Sequence, residues 1–364
     1  MQVLETPRHD RYATVVAGAG PAGILAALHA ADAGNVLLVD SSSLPRDKSC
    51  GGMLHHHTVR ALELYAPIPQ GIVLDPRTVH FRYNDWDRRI VKTTTLEFLN
   101  VSRAGFDEWL TTLLPGSVDV VAPCEVRDFQ QGPSGVDVVL KTRAGEVTVS
   151  GDILVGADGA RSQVRRVLGV PSTATYVTLQ DFCTLRSVID PVFDCIYMRD
   201  IGDEYAYSYI IPKGPTAVVG SVYYPKTKHP WEKQDLTLDI LRERMPGLGA
   251  SVKREAAAAL YLRSPDDVVC GHGRVLLAGE AGGFMSPTSG EGISYAVNTG
   301  RLAGEAIAAG DAAGALSRYA VAIEPVRRNI ARKFRWLPLM ESRMGKYVAG
   351  FMPETLVSRV THGL

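Results

Sequence analysis

The 364-residue sequence predicts an α/β fold: a Rossmann-type domain interleaved with a smaller antiparallel sheet and followed by C-terminal helices. Three observations carry this. A complete βαβ unit stands near the start; two later apolar strands each run into a turn of glycine and an acid; and the stretch at 171–264 is rich in β-branched and aromatic residues.

The βαβ unit occupies residues 15–40. Val15-Val16-Ala17 feeds Gly18-Ala19-Gly20-Pro21-Ala22-Gly23, a helical stretch reaches Ala33 and stops at Gly34, and a second apolar run ends in Asp40. In such a G-x-G-x-x-G turn, Gly18 permits the tight turn, Gly20 lets a pyrophosphate approach backbone amides, and Gly23 lets the helix lie close on the sheet. The helix then presents free N–H groups and the positive end of its dipole to phosphate. Asp40 is placed to accept hydrogen bonds from an adenosine ribose. The motif specifies a dinucleotide and leaves NAD and FAD both open.

Composition sets bounds. The chain is 46% hydrophobic and 21% charged with a formal net charge of zero, which argues against bulk attraction to nucleic acid. The polar, charged start does not read as a signal peptide, and no run reaches the ~18 apolar residues of a membrane span. Five cysteines, odd in number and without a CxxC pair, favour reduced thiols in a cytoplasm over a disulfide framework or zinc site.

A polar connection, residues 41–48, leads into Ser49-Cys50-Gly51-Gly52. Residues 53–65 have the apolar spacing of a helix ended by Pro67 and Pro69. On such a helix His55, His56 and His57 point about 100° apart and cannot converge on one metal, so no metal site is expected. Strands are expected at 78–83 and 90–95, a helix that residues 101–107 start and that runs through 114, and strands at 118–121, 136–141 and 146–150. A separate apolar strand, 152–156, precedes Asp158-Gly159 and a basic helix, 163–168. Tyr205, Tyr207 and Tyr209 alternate ahead of Ile210-Ile211-Pro212, 217–224 alternates again, and a helix spans 236–244. A short strand from 274 runs into Gly279-Glu280, and a long helix covers 293–309.

Three motifs now stand together: the glycine turn, Gly156-Ala157-Asp158-Gly159, and Gly279-Glu280-Ala281-Gly282-Gly283-Phe284. The trio resembles the FAD-dependent hydroxylase superfamily. Within it, Lys48-Ser49-Cys50-Gly51-Gly52 and Pro287-Thr288-Ser289-Gly290-Glu291-Gly292-Ile293 are most similar to the geranylgeranyl reductase branch. Tyr207-Ser208-Tyr209-Ile210-Ile211-Pro212 is similar to that branch's Y-x-W-x-F-P substrate strand, with Tyr209 in place of tryptophan. Arg103, Phe106 and Asp107 are similar to the superfamily's R-x-x-F-D helix start. Glu280 stands where aspartate is usual, and Ser286 precedes Pro287 where aspartate is common.

The resemblance implies an FAD-binding domain at 1–70, 101–170 and 265–324, a substrate domain at 71–100 and 171–264, and a helical tail at 325–364. It implies that Asp158 and Glu280 reach the ribityl and pyrophosphate region and that Arg103 offsets phosphate charge. Ser41, Lys48, Ser49, Cys50, Gly51, Val126, Gly279 and Pro287 join the cofactor set. Gly290, Glu291, Gly292 and Ile293 would open a helix whose amides face the flavin pyrimidine end. Tyr207, Tyr209 and Pro212 would meet substrate.

Cys50 is the catalytic candidate, as a thiol of ordinary pKa, about 8.5, that donates the proton complementing hydride transfer; filling space before Gly51 is the alternative. The implied activity is reduction of carbon-carbon double bonds in an isoprenoid or lipid-like acceptor, with NADPH or ferredoxin as electron donor. An FAD monooxygenase using a flavin hydroperoxide on an aromatic or polyketide-like substrate is the alternative, and a non-enzymatic flavin sensor a third. The basic tail reads either as a helix resting on a membrane surface or as a solvated face packed on the FAD domain.

Overall fold

In a computed structural model the chain is described over residues 2–46, 48–171, 173–202, 205–342, 344–345, 348 and 351–356, with Arg199 and Tyr205 described by backbone alone. The remainder of the expected tail lies outside the described residues. The strands are β1 (Val3–Leu4), β2 (Arg11–Ala17), β3 (Val36–Val39), β4 (Met53–His55), β5 (Val73–Asp85), β6 (Ile90–Val101), β7 (Val118–Val121), β8 (Glu125–Gly132) and β9 (Gly135–Thr142). Then come β10 (Gly145–Gly156), β11 (Ala174–Leu185), β12 (Val192–Tyr197), β13 (Tyr205–Lys213), β14 (Thr216–Tyr223), β15 (Leu248–Tyr261), β16 (Gly271–His272) and β17 (Val275–Leu277).

One sheet runs β1-β7-β3-β2-β10-β17-β16, its fully buried strands matching the apolar runs of 36–39 and 118–121. Strand β2 lies parallel between β3 and β10, as a βαβ crossover requires. Two details differ from the sequence reading. The runs at 146–150 and 152–156 form one strand, β10, whose first half pairs antiparallel with β9 while its last residues join β2 and β17. Strand β8 escaped notice because only Val126 and Phe129 of its eight residues are buried, so it shows little apolar pattern.

The second sheet has the order β15-β11-β14-β13-β12-β5-β6-β4. It is antiparallel except for β12 beside β5, which run parallel, a mixed pairing that local alternation does not reveal. Residues 53–55, expected as helix and within the first domain, are strand β4 of this sheet, because Met53, Leu54 and His55 pair with the end of β6.

The helices are α1 (Pro21–Ala30), α2 (His56–Glu63), α3 (Arg103–Thr111), α4 (Gln163–Val167), α5 (Pro230–Arg244), α6 (Ile293–Ala308), α7 (Ala315–Ala322), α8 (Glu324–Phe334) and α9 (Leu337–Glu341). Helix α5 starts six residues before the expected Leu236, with Pro230 in its first turn where a missing N–H does no harm. Helices α1 and α6 cross at Gly300, where a Cβ would sit 2.1 Å from the Ala22 carbonyl oxygen. The tail packs: Val326 and Ile330 of α8 enter the core that holds α1 and α6, the Lys333 ammonium donates to the Tyr295 hydroxyl at 2.9 Å, and Arg327, Arg328 and Arg332 face outward. Among the described residues no helix is long and apolar enough to cross a membrane.

Candidate functional site: one cavity between two sheets

A cavity of about 910 Å³ runs from the glycine turn, past the Cys50 segment, to the aromatic face of the second sheet. Every candidate cofactor and substrate residue named above lines it except Ala19, Gly23, Gly279 and Pro212. The first three stand just behind the surface. The Ala19 N–H donates to Asp40, Gly23 backs onto the Gly18 carbonyl, and Gly279 packs on Ala22. Pro212 is a correction. Side chains on β13 alternate, so with Tyr207, Tyr209 and Ile211 on the cavity face Pro212 turns away, and its carbonyl accepts from Asn100.

At the glycine end, Gly18 has φ +100° and a Cβ there would lie 2.4 Å from the Ala157 oxygen, so the turn admits no side chain. Helix α1 begins at Pro21 with no side chain capping its first turn. Asp40, 5% exposed, accepts the N–H groups of Ala19 and Ser42 at 2.8 Å each, and its remaining lone pairs stay available to a ligand hydroxyl. The cation over the turn is Arg46, which the sequence analysis missed: a Cβ on Gly20 would meet its guanidinium at 2.5 Å, and its Nε donates to Asp107 at 2.9 Å. Arg103, expected to face phosphate, is instead paired to Asp107 at 2.8 Å and turned onto the Cys50 thiol.

Two further carboxylates are committed to backbone. Asp158 accepts from Ser162, Gln163 and Val164, closing the N-terminus of α4, and burial raises its pKa. Glu280 accepts the Leu260 N–H at 2.9 Å and lies 3.8 Å from the Lys48 ammonium. At the start of α6 Glu291 accepts the Ser294 N–H at 2.8 Å, so this helix end presents a carboxylate, raised in pKa by burial, among the amides expected there.

Around Cys50 the two sheets meet. Burial alone would raise the thiol; Arg103, the Gly52 N–H and Lys48 outweigh it and hold the pKa below its ordinary value. The premise of an unperturbed thiol therefore fails. Behind it Lys213, also unforeseen, donates to the carbonyls of Gly52 and Val101 at 3.1 Å each and to the Asn100 amide oxygen at 2.5 Å. Burial brings this lysine's pKa down to about 7. Beside it, Ser49 donates to Gln180 at 2.6 Å and Gln180 to the Tyr209 hydroxyl at 2.6 Å. The Tyr209 ring lies across Gly220, its partner on β14.

The histidine trio lies away from the cavity lining. Because His55 ends β4 and caps α2, the helical argument against convergence does not apply to it, and ring nitrogens of His55, His56 and His57 come within 4.8 Å of one another. Burial, with its two neighbours, lowers His55 to about 4.

The glycine end fits a dinucleotide: a bare turn, an uncapped helix start, a guanidinium above and a ribose-accepting carboxylate. Protein CbrA of Escherichia coli O9:H4 is 28% identical over 303 residues, covering 80% of each chain. A geranylgeranyl bacteriochlorophyll reductase-like protein from Thermoplasma acidophilum superposes with a TM-score of 0.80 at 19% identity, over 98% of this chain and 92% of that one. PqsL of Pseudomonas aeruginosa, a probable FAD-dependent monooxygenase, does so at 0.68 and 16%, over 94% and 99%. At such identities the likeness to solved structures is one of fold. A family model described as an FAD binding domain matches residues 111–318, more than half of the chain, and with this match the protein belongs to the FAD-binding domain family of the FAD-dependent hydroxylase superfamily.

Proposed function

We propose that this protein is an FAD-dependent reductase that saturates a carbon-carbon double bond in a hydrophobic, isoprenoid or lipid-like acceptor. The observation that supports it is the position of Cys50, held by Arg103 where the glycine-turn end of the cavity gives way to an aromatic wall. FAD, once bound and reduced, supplies a hydride.

The chain supplies the rest. The glycine turn, the start of α1, Arg46 and Asp40 would hold pyrophosphate and ribose. Phe193, Tyr207 and Tyr209 face the acceptor with apolar surface and keep water from it. Cys50 holds a proton at Sγ and gives it to the carbon beside the one that receives hydride; Arg103 stabilises the thiolate left behind, which solvent reprotonates. Lowering the thiol pKa makes it a stronger acid but empties it sooner as pH rises.

The test is mass spectrometry of a lipid and metabolite extract incubated with chemically reduced protein, with and without oxygen. An acceptor that gains two hydrogens under anoxia is expected. A product that gains oxygen only in air would replace the reductase with a monooxygenase.

A further inference from the structure

Behind the Cys50 segment, β13 ends in a buried lysine that proton transfer from Cys50 does not itself use. Side chains on β13 alternate, so Lys213 shares the face of Tyr209 and Ile211, but it stands beyond the cavity lining and is 8% exposed. An ammonium carries three N–H donors, and Lys213 meets three acceptors: the carbonyls of Gly52 and Val101 at 3.1 Å each and the Asn100 side-chain oxygen at 2.5 Å. Asn100, fully buried, gives its amide N–H groups to the carbonyls of Pro76 and Pro212 at 2.9 Å each. Lys213 and Asn100 thus tie β5, β6 and β13 to one point of the Cys50 segment.

That point is Gly52. It has φ +59°, and a Cβ on it would lie 2.3 Å from the Val101 oxygen and 2.9 Å from Lys213 Nζ, so the residue is held left-handed between β6 and the lysine. Its carbonyl accepts from Lys213 and, at 2.8 Å, from the Val101 N–H. With the carbonyl pinned and φ left-handed, the N–H at the other end of the residue turns back on Cys50 and donates to Sγ at 3.4 Å. The cations that act on this sulfur are Arg103, paired to Asp107, and Lys48, 3.8 Å from Glu280. Cys50 in turn favours the Lys213 ammonium against its burial.

We infer that Lys213 is the positioning residue of the Cys50 thiol: through the Gly52 carbonyl it fixes the left-handed conformation that keeps the Gly52 N–H on Sγ. A hydrogen bond to the charged form favours that form. The thiolate left by proton transfer is therefore held by a backbone donor whose direction the lysine sets. An apolar side chain at 213 would leave the Gly52 carbonyl to the Val101 N–H and let the peptide swing away from the sulfur. The inference rests on the reductase reading only in taking Cys50 to be the proton donor.

The test is the pH profile of Cys50 alkylation by iodoacetamide in the FAD-loaded full chain, read by peptide mass mapping, for the unaltered protein, Lys213→Met and Lys213→Arg. Lys213→Met is expected to raise the Cys50 midpoint by about one pH unit, about tenfold slower alkylation below it, and Lys213→Arg, which keeps a cationic donor, to recover most of the loss. Removing a nearby charge would also raise the midpoint, so the Gly52 amide is followed by NMR with 15N-glycine. Its resonance should move as Cys50 ionises in the unaltered chain, and at least about twofold less in Lys213→Met. An unmoved midpoint, or a raised one with the amide response intact, would overturn the inference. Should neither lysine variant fold, the unaltered chain and Cys50→Ser decide: the Gly52 amide must follow the thiol in the first and the lysine in the second, and a flat response in either overturns it. A shifted midpoint without anoxic alkene reduction would leave the positioning role standing and remove the reductase reading. Alkene reduction with an unmoved midpoint would do the reverse.

Discussion

The glycine-turn end of the cavity comes mostly from one short stretch, residues 15–46, backed by Ala157, whereas the end against the second sheet joins residues far apart in the chain. Ser49 reaches Gln180, Gln180 reaches Tyr209, Tyr209 lies on Gly220, and Lys213 binds Asn100 and Gly52. The first end is made by backbone shape and leaves no room to yield. The second is made by register and by buried polar partners, so a change at one residue should be relieved or worsened at another.

The hardest test of that contrast is Gly23→Ala. A Cβ there would lie 1.7 Å from the Gly18 oxygen, backbone against backbone, with no rotamer to relieve it. We expect loss of bound FAD and at least about 3 kcal/mol of stability, read by flavin content and thermal unfolding; a normal holoprotein would show the turn to be adaptable after all.

On the register-built side, Lys213→Met takes a donor from three oxygens, of which the Gly52 carbonyl keeps the Val101 N–H, at a cost of about 2 kcal/mol. It also carries a pH signature. Burial depresses the folded pKa of Lys213 from 10.5 to about 7, so between these values the unfolded chain binds the extra proton and stability rises with pH. Denaturant unfolding should show a rise of a few kcal/mol across that window in the unaltered protein, at about 1.4 kcal/mol per pH unit, and a flatter profile in the variant. Identical slopes would mean that the ammonium keeps its charge in the fold.

Gly220→Ala would put a Cβ 2.1 Å from the Tyr209 ring and should cost about 1–3 kcal/mol. Because the obstacle is a side chain, adding Tyr209→Ala should recover part of the loss, a coupling that a double-mutant cycle measures. Strict additivity would contradict the register picture.

The smallest expected effect separates two cysteines on the cavity wall. Arg103, the Gly52 N–H and Lys48 hold Cys50 low against the pull of burial, while burial pushes Cys124 up to about 12. Alkylation of Cys50 should turn on below the ordinary thiol midpoint of about 8.5, with Cys124 silent throughout the neutral range, as peptide mass mapping would report. A Cys50 midpoint at or above 8.5 would remove Arg103 from its proposed role.

The same contrast explains what was legible in the sequence. The βαβ unit could be read residue by residue because Gly18 answers to the turn's positive φ and Gly23 to the carbonyl of Gly18, five residues back. Tyr207 and Tyr209 were legible as a face because alternation is local, yet their neighbour Pro212 was misassigned by carrying a motif past its period of two. Lys213 and Asn100 gave no signal, since a lysine or asparagine in a strand announces nothing until a distant strand is laid beside it, and Arg46 gave none because it sits in a polar connection without periodicity. His55 was misread for a related reason: the end of β6 recruits residues 53–55 into a strand that local spacing describes equally well as helix.

Strand β10 carries a consequence for the order of folding. Its first half pairs with β9 across a tight turn, a contact that hairpins make in about 1–10 μs, and this leaves residues 153–156 as an open edge. That edge is completed by β2, some 140 residues back, and by β17, some 120 residues ahead. Both closures carry the loop entropy of long separations. The meander of β8, β9 and β10 is thus expected to act as the template on which the nucleotide-binding sheet assembles, with the glycine turn reaching its final shape only when β2 docks.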